Sequence, residues 1–462
     1  MIRRPLGIII ILLFSFNIFA QNTVTFPRIE SDPRADDFFR RGLDGFSWTD
    51  LAEMSLWSSD ADLSTAANAA LMQQINRMAD DIRTYPDLPS ENRERAEFIL
   101  EYMHRNLLRT YSFPQTRVDT MLSTGRYNCV SSAVLYVILC KSIGIRASGV
   151  ITRDHAFAMV HINGEDIDVE TTNRFGFDPG RRRDFHDDFG RLTGFSYVPQ
   201  GSYRDRQTIS EIELVSLILR NRIAELEGRG RFAEAVPLAV DRTALLRGGA
   251  GTVSLAGLAG SPSTEFFEDP YKNLIDRLLN YGASLAMARN FTAALTWAQN
   301  ASAIYPDEER WNDFIMNCID ADLANRTNGI RTVSEGELLI SAIEEARSLG
   351  NLREERANEF LTSSIQRIAS LLSGTQSGTR DWLAGINYIE DAILRFGSNR
   401  DLEQTLSAYR TNRATDFHNR FAAAWNRRNY DEAERILNEG LAEFPDDRRL
   451  LANMDTVIRH RR

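Results

Sequence analysis

The sequence predicts an α+β domain up to about residue 205, followed by an all-α domain of helical repeats that continues to the C-terminus. Two observations support this fold class. Between residues 127 and 172 a buried helix, a short strand and a β-hairpin follow one another. After about Ser210 strand signals vanish, and amphipathic helical patterns continue to the last residue. The change of pattern places the domain boundary between residues 205 and 206.

The composition is typical of a soluble globular protein. Of the 462 residues, 43% are hydrophobic and 26% are charged, which excludes a disordered chain, a collagen-like repeat and a polytopic membrane protein. The formal net charge is −10, and an acidic surface repels phosphate backbones. The composition therefore argues against nucleic acid as a partner.

The first twenty residues have the pattern of a secretory signal peptide. Arg3 and Arg4 precede an apolar run from Leu6 to Phe16, and Ala20 offers a small residue before a cleavage point. The run is shorter than the ~20 apolar residues that a spanning helix needs. We expect residues 1–20 to be removed, which leaves a periplasmic or secreted chain with no membrane span.

Residues 21–89 form a predicted N-terminal extension with short helical patterns and no clear period. From residue 90 the pattern becomes regular, and apolar positions predict a helix over Ser90 to Leu108, which ends before Pro114. We therefore take residues 90–205 as the α+β domain.

A second helix is predicted from Asn128 to Gly144. Asn128 is a favourable N-cap residue and Gly144 a favourable stop, while the residues between them are apolar on all sides, as in a central helix. Cys129 falls in the first turn, where free amide groups and the helix dipole favour a thiolate. The other two cysteines, Cys140 and Cys318, are expected to be buried, and an odd total argues against a disulfide framework.

A β-hairpin follows this helix. Asn163-Gly164 between two alternating stretches is a strong hairpin signal, and a two-residue turn there places Phe157 opposite Glu170. Glu170 is then diagonal to His155, whereas Asp168 lies one pair further away. Glu170 is the better carboxylate to orient His155, and Asp168 is the alternative.

Cys129, His155 and Glu170 are the residue types that cysteine acyl transfer requires. A thiolate attacks the carbonyl carbon, an imidazole transfers the proton, and a carboxylate orients the imidazole. A metal site at His155 and His161 is disfavoured, because about 20 Å of strand separates the two side chains. We expect no cofactor and no metal.

Residues 90–175 resemble the transglutaminase-like superfamily, which is cysteine protease-like. The resemblance is carried by Gly125 and Cys129, by residues 139–147, and by His155-Ala156-Phe157 and Val169-Glu170-Thr171-Thr172. It implies a papain-like α+β domain, with Cys129 as nucleophile, His155 as general base and acid, and Glu170 as orienting group. The family commonly has Asp at the Glu170 position. It also needs an oxyanion donor besides the backbone, for which Tyr111, Gln115 and Tyr127 are candidates.

Residues 206–462 resemble tetratricopeptide repeats. The motif Gly-Arg-Phe-Ala-Glu-Ala at 230–235 has counterparts at 289–294 and 428–433, and the match extends over 217–247, 275–308 and 416–447. A loop at 248–264, rich in Gly, Ser and Ala, accounts for irregular spacing. The resemblance implies a concave surface that binds a protein or peptide partner or substrate.

Together these features predict an exported transglutaminase-like cysteine hydrolase or acyltransferase that acts on peptide or isopeptide amide bonds, with repeats for partner or substrate binding. The alternative is a catalytically inert transglutaminase-like platform within a protein-interaction scaffold of the tetratricopeptide type.

Overall fold

The computed structural model describes residues 24–42, 45–181, 206–247, 269–306, 308–374 and 380–461. The predicted signal peptide at 1–20 and the predicted loop at 248–264 lie outside the described residues. The described residues up to Tyr281 form one compact unit, and those from Gly282 onward form a second. The first unit thus contains the predicted extension, the predicted α+β domain and the first predicted repeat. The boundaries set from the sequence stay predictions.

The predicted fold class is wrong. About 70% of the described residues are helical, in seventeen α-helices, and the strands form only a two-stranded and a four-stranded sheet. The protein is therefore mainly helical, and residues 90–205 do not make a papain-like α+β domain. The hairpin signal indicates the local structure correctly. It does not determine the fold class, because most of the core around the hairpin is supplied by helices.

The first unit contains eight complete helices and six strands among its described residues, and a ninth helix continues into the second unit. The helices are α1 Pro33–Gly42, α2 Trp48–Ser58, α3 Ala66–Arg83, α4 Asn92–Asn106, α5 Val118–Thr124, α6 Cys129–Ser142, α7 Glu211–Gly228, α8 Phe232–Arg247 and the continuing α9 Pro270–Met287. The strands are β1 Thr110–Tyr111, β2 Arg126–Tyr127, β3 Ala147–Ile151, β4 Ala156–Ile162, β5 Glu165–Val169 and β6 Gln207–Ile209.

The four-stranded sheet has the order β5-β4-β3-β6, and all its neighbouring strands are antiparallel. The hairpin of β4 and β5 has the predicted register, with Met159 opposite Asp168. Asn163 and Gly164 form its turn with φ of 53° and 81°, as a two-residue hairpin of the primed type requires. The register prediction is confirmed.

Helix α6 lies at the centre of the first unit's core, as its apolar character predicts. Every residue from Cys129 to Cys140 is buried, and the helix packs against α2, α3, α4, α5, α7, β3 and β4. Its bounds and its N-cap at Asn128 confirm the predicted helix. Strands β3 and β4 cover only part of it, and helices from both sides of the predicted domain cover the rest.

The second unit is helical throughout its described residues. After the end of α9 it contains α10 Phe291–Ile304, α11 Arg310–Gly329, α12 Val333–Ser348, α13 Glu354–Leu372, α14 Trp382–Phe396, α15 Arg400–Asn426, α16 Tyr430–Glu443 and α17 Arg448–Arg461. Successive helices from α10 onward pack against each other. Tetratricopeptide repeats stay a prediction. No helix in the described part of the chain is long and apolar enough to cross a membrane.

Candidate active site

The N-terminus of α6 holds the candidate nucleophile. The Asn128 side chain accepts hydrogen bonds from the backbone N–H groups of Val130 and Ser131, both at 3.0 Å. Ser131 in turn accepts a bond from the Asn128 backbone N–H, which completes a capping box. Cys129 is the first residue of the helix and is only 7% exposed. Its thiol therefore lies at the positive end of a helix whose start is fixed by the Asn128 cap.

The structure brings together the three residues predicted from the sequence. His155 lies just before β4, and its Nε2 is 2.6 Å from Oε2 of Glu170, just after β5. Cys129 lies close enough to the same imidazole to influence its pKa. His155 thus lies between a thiol and a carboxylate, in the order that nucleophilic catalysis requires.

Glu170, not Asp168, orients His155. Asp168 forms a bidentate ion pair with Arg206, with N–O distances of 2.6 and 2.8 Å. Glu170 is fully buried, and its second carboxylate oxygen accepts bonds from the backbone N–H of Thr172 at 3.1 Å and the Thr172 hydroxyl at 2.7 Å. Both oxygens of Glu170 are satisfied, so its position is fixed despite the extra methylene.

The environment of His155 favours the imidazolium. Burial by itself lowers its pKa, but the charge of Glu170, the hydrogen bond to Glu170 and the nearby Cys129 outweigh burial and raise the pKa from 6.5 to about 10. The imidazole is therefore protonated at neutral pH.

Three further side chains hold the loop that follows Glu170. The Ser132 hydroxyl, one turn into α6, is 2.8 Å from the Thr171 hydroxyl. Nε2 of His104 is 3.0 Å from the Thr171 carbonyl oxygen, and the Tyr127 hydroxyl donates to the Thr172 carbonyl at 3.3 Å. Sequence reasoning missed the roles of Ser132 and His104. Ser132 lies on the same helix face as Cys129, which is a usable signal, but nothing in the sequence marks His104.

The three candidate oxyanion donors differ in whether their polar groups already have a hydrogen-bond partner. The Gln115 amide donates to the carbonyls of Arg117 and Arg126, and the Tyr127 hydroxyl to Thr172. The Tyr111 hydroxyl is buried with no hydrogen-bond partner in the described part of the chain.

Tyr111 also lies close to the candidate nucleophile. Burial raises the pKa of Tyr111, and the charges of Cys129 and Glu170 add to the effect. Its hydroxyl therefore stays protonated and can donate a hydrogen bond. This makes Tyr111 the best of the three candidate donors.

Cys140, Cys318 and His161 lie outside the triad. Cys140 and Cys318 are buried thiols, and burial raises their pKa to about 12 and about 11. His161 is held between Ser148 at 2.9 Å and Asp166 at 2.6 Å. No group of three or more His, Cys, Asp or Glu side chains in the described ranges could hold a metal ion.

The sequence matches no protein-family model and no curated protein. The function is therefore inferred from the geometry of this site.

Proposed function

We propose that the protein is a transglutaminase-like cysteine hydrolase or acyltransferase that acts on peptide or isopeptide amide bonds. The observation that carries the proposal is His155, which hydrogen-bonds to the Glu170 carboxylate and lies close enough to Cys129 for that cysteine to influence its pKa. A helix N-terminus at Cys129 and a raised pKa at His155 add support, because both place positive charge beside the sulfur that attacks the substrate.

The first half-reaction forms a thioester. The Cys129 thiolate attacks the amide carbon, and the charge that develops on the carbonyl oxygen is stabilised by the backbone N–H at Cys129 and by the Tyr111 hydroxyl. The His155 imidazolium then gives its proton to the leaving nitrogen as the C–N bond breaks. An amine is released, and the acyl group stays on sulfur.

The second half-reaction returns the enzyme to its starting state. Neutral His155 removes a proton from water or from an acceptor amine, which attacks the thioester carbon. The C–S bond breaks, and the product is a carboxylic acid or a new amide. Glu170 keeps its hydrogen bond to the imidazole and holds it in position.

Export and partner binding complete the proposal. The N-terminal signal pattern supports a periplasmic or secreted enzyme. The helical second unit supports a protein or peptide partner or substrate, because stacked helix pairs present extended surfaces for binding.

An inert platform in an interaction scaffold is the second candidate. Large apolar side chains exposed on the second unit favour it, among them Leu338 at 63% and Leu394 at 85%. The two candidates differ in what they require of Cys129, since only the enzyme needs a reactive thiolate.

Alkylation of Cys129 by iodoacetamide, measured against pH with mass spectrometry, separates the two candidates. Because the pKa of His155 is raised to about 10, we expect rapid labelling that changes little between about pH 6 and pH 9. His155→Ala should slow labelling at pH 6.5 by up to about 100-fold, since an ordinary thiol with a pKa near 8.5 is about 1% ionised there.

His161→Ala is the matched control, because it removes an imidazole from the same strand without touching the site. It should leave the labelling profile unchanged. Labelling of the unmodified protein that rises only around pH 8.5, with no effect of His155→Ala, would exclude the enzyme and leave the interaction scaffold.

A further inference from the structure

Each segment that carries a triad residue also carries an exposed arginine. Arg126 precedes Cys129 by three residues, Arg153 precedes His155 by two, and Arg174 follows Glu170 by four. We call these three residues the arginine rim.

The three arginines of the rim lie on the segments that form the site. The Arg126 guanidinium donates to the Ser112 hydroxyl at 3.0 Å, next to Tyr111. Arg153 lies in the tight turn between β3 and β4, which the bond from the Thr152 N–H to the His155 carbonyl closes at 2.9 Å. Arg174 lies in the loop that follows Glu170, the same loop that His104 contacts at the Thr171 carbonyl.

The arginine rim has no acidic partner in the part of the chain that the structure describes. Within the described residues, none of the three guanidinium groups forms an ion pair with a carboxylate. Most other arginines of this acidic chain do: Arg41, for example, contacts three carboxylates and Arg356 two. In the three segments that join these arginines to the triad residues (126–129, 153–155 and 170–174), Asp154 is the one exposed acid. The site therefore has a positive rim on a protein whose net charge is −10.

Aromatic side chains accompany the arginines. The guanidinium of Arg174 lies over the Phe175 ring at 5.6 Å, and Phe175 is 57% exposed. Phe113 is 63% exposed, and its carbonyl accepts a bond from the Asn128 side chain. A ligand at this rim would meet positive charge and flat apolar surface together.

From this we propose that the substrate is a peptide that carries a carboxylate next to the amide bond to be cleaved, either an acidic side chain or a free α-carboxylate. This inference rests on the proposed function and adds the substrate class to it. The rim draws the anionic substrate towards the site and holds its carboxylate while Cys129 attacks. A neutral or basic peptide lacks that attraction.

The test compares two reagents of nearly equal size, iodoacetate and iodoacetamide, on Cys129 of the full chain at low ionic strength. Iodoacetate is an anion and iodoacetamide is neutral. We expect the rate ratio of iodoacetate to iodoacetamide to be about tenfold higher in the native protein than in the chain unfolded by urea. The excess should disappear at about 0.5 M NaCl, because salt screens exposed charges.

Variants test whether the rim arginines cause the excess reactivity towards iodoacetate. Arg174→Gln should lower the ratio about threefold, which is the effect expected of one exposed charge several ångströms away. Arg174→Lys keeps the charge and should keep the ratio, and the combined change of all three rim arginines to Gln should abolish the excess. Arg77→Gln is the matched control, because Arg77 is exposed, forms no ion pair in the described chain and lies on α3 away from the site.

The outcomes separate this inference from the proposed function. Fast iodoacetamide labelling with no excess for iodoacetate overturns the acidic substrate and leaves the cysteine enzyme standing. Slow labelling by both reagents overturns both. An excess that survives 0.5 M NaCl, or that Arg77→Gln removes, also contradicts an attraction by the rim.

Discussion

Glu170 shows how single residues set the chemistry of this site. Its carboxylate is one methylene longer than the aspartate that the resemblance leads one to expect, yet it reaches His155 at 2.6 Å and keeps its other oxygen on Thr172. The longer side chain is accommodated because the backbone after β5 turns sharply and places Thr172 beneath it. Local hydrogen bonds, and not the identity of the acid, fix the imidazole.

Tyr111→Phe should separate two reactions of the same cysteine. Acylation by p-nitrophenyl acetate passes through an oxyanion, so we expect it to slow by about 10²-fold without the hydroxyl. Alkylation by iodoacetamide has no oxyanion and should keep its rate. Release of nitrophenolate and mass spectrometry of Cys129 measure the two reactions.

Tyr102→Phe is the control for this change. It removes another partly buried hydroxyl of the same unit, one that donates to Asp81 at 2.9 Å. It should alter neither reaction. Equal losses of acylation and alkylation in Tyr111→Phe would show that Tyr111 supports the site's structure and does not stabilise an oxyanion.

At the level of elements, the site depends on how the β4–β5 hairpin continues beyond its last pair. The backbone N–H of Glu170 donates to the Gly176 carbonyl at 2.7 Å, which closes a tight loop. A Cβ on Gly176 would lie 2.0 Å from the Glu170 carbonyl oxygen, so only glycine fits. The hairpin sets the register of Glu170, and this loop sets its final position.

Gly176→Ala should therefore weaken the triad. The added methyl forces the backbone at Glu170 to shift, and we expect about 1–3 kcal/mol of lost stability. We also expect at least about tenfold slower alkylation of Cys129 at pH 6.5, because the imidazole loses its carboxylate. Urea unfolding and the alkylation assay measure the two effects.

Gly228→Ala is the matched control, because an added Cβ at the end of α7 meets no described atom within 4 Å apart from its chain neighbours and the backbone of its own helix. Its stability and its alkylation rate should stay close to those of the unmodified protein. If Gly176→Ala left the alkylation rate unchanged, the loop would not be what positions Glu170.

At the level of the whole molecule, the site and the predicted N-terminal extension (residues 21–89) share one hydrophobic core. Leu51, Met54 and Leu56 of α2 and Ile75 of α3 are fully buried in the same cluster as α6 and the sheet. Helix α7, beyond the predicted boundary at residue 205, belongs to this cluster too. The site is therefore supported by helices on both sides of it in sequence.

Met54→Ala should destabilise the first unit by about 2–5 kcal/mol, the usual cost of truncating a buried methionine to alanine. The urea concentration at which Cys129 begins to react with iodoacetamide measures this loss of stability, because Cys129 is buried in the same core. Met287→Ala is the control, since that side chain is 75% exposed and its loss should change stability by less than about 0.5 kcal/mol. If Cys129 became reactive at the same urea concentration in Met54→Ala and in Met287→Ala, a core shared by Met54 and Cys129 would be contradicted.

Local patterns in the sequence determined much of the site. The cap at Asn128, the position of Cys129 in the first turn, the Asn163-Gly164 turn and the register that brings Glu170 to His155 depend on residues close in sequence. Such features follow from backbone preferences and from alternation along the chain, so they can be predicted without the rest of the molecule.

Only the tertiary structure decided the fold class and the completion of the site. A helix that is buried on one face gives the same pattern whether it extends a domain or forms its core, so α2 and α3 could not be placed from sequence. The ion pair of Arg206 with Asp168 and the contact of His104 with Thr171 each join residues far apart in the chain. The same holds for the burial of the Tyr111 hydroxyl, which has no hydrogen-bond partner among the described residues. Contacts of this kind arise when distant segments pack, and no local preference encodes them.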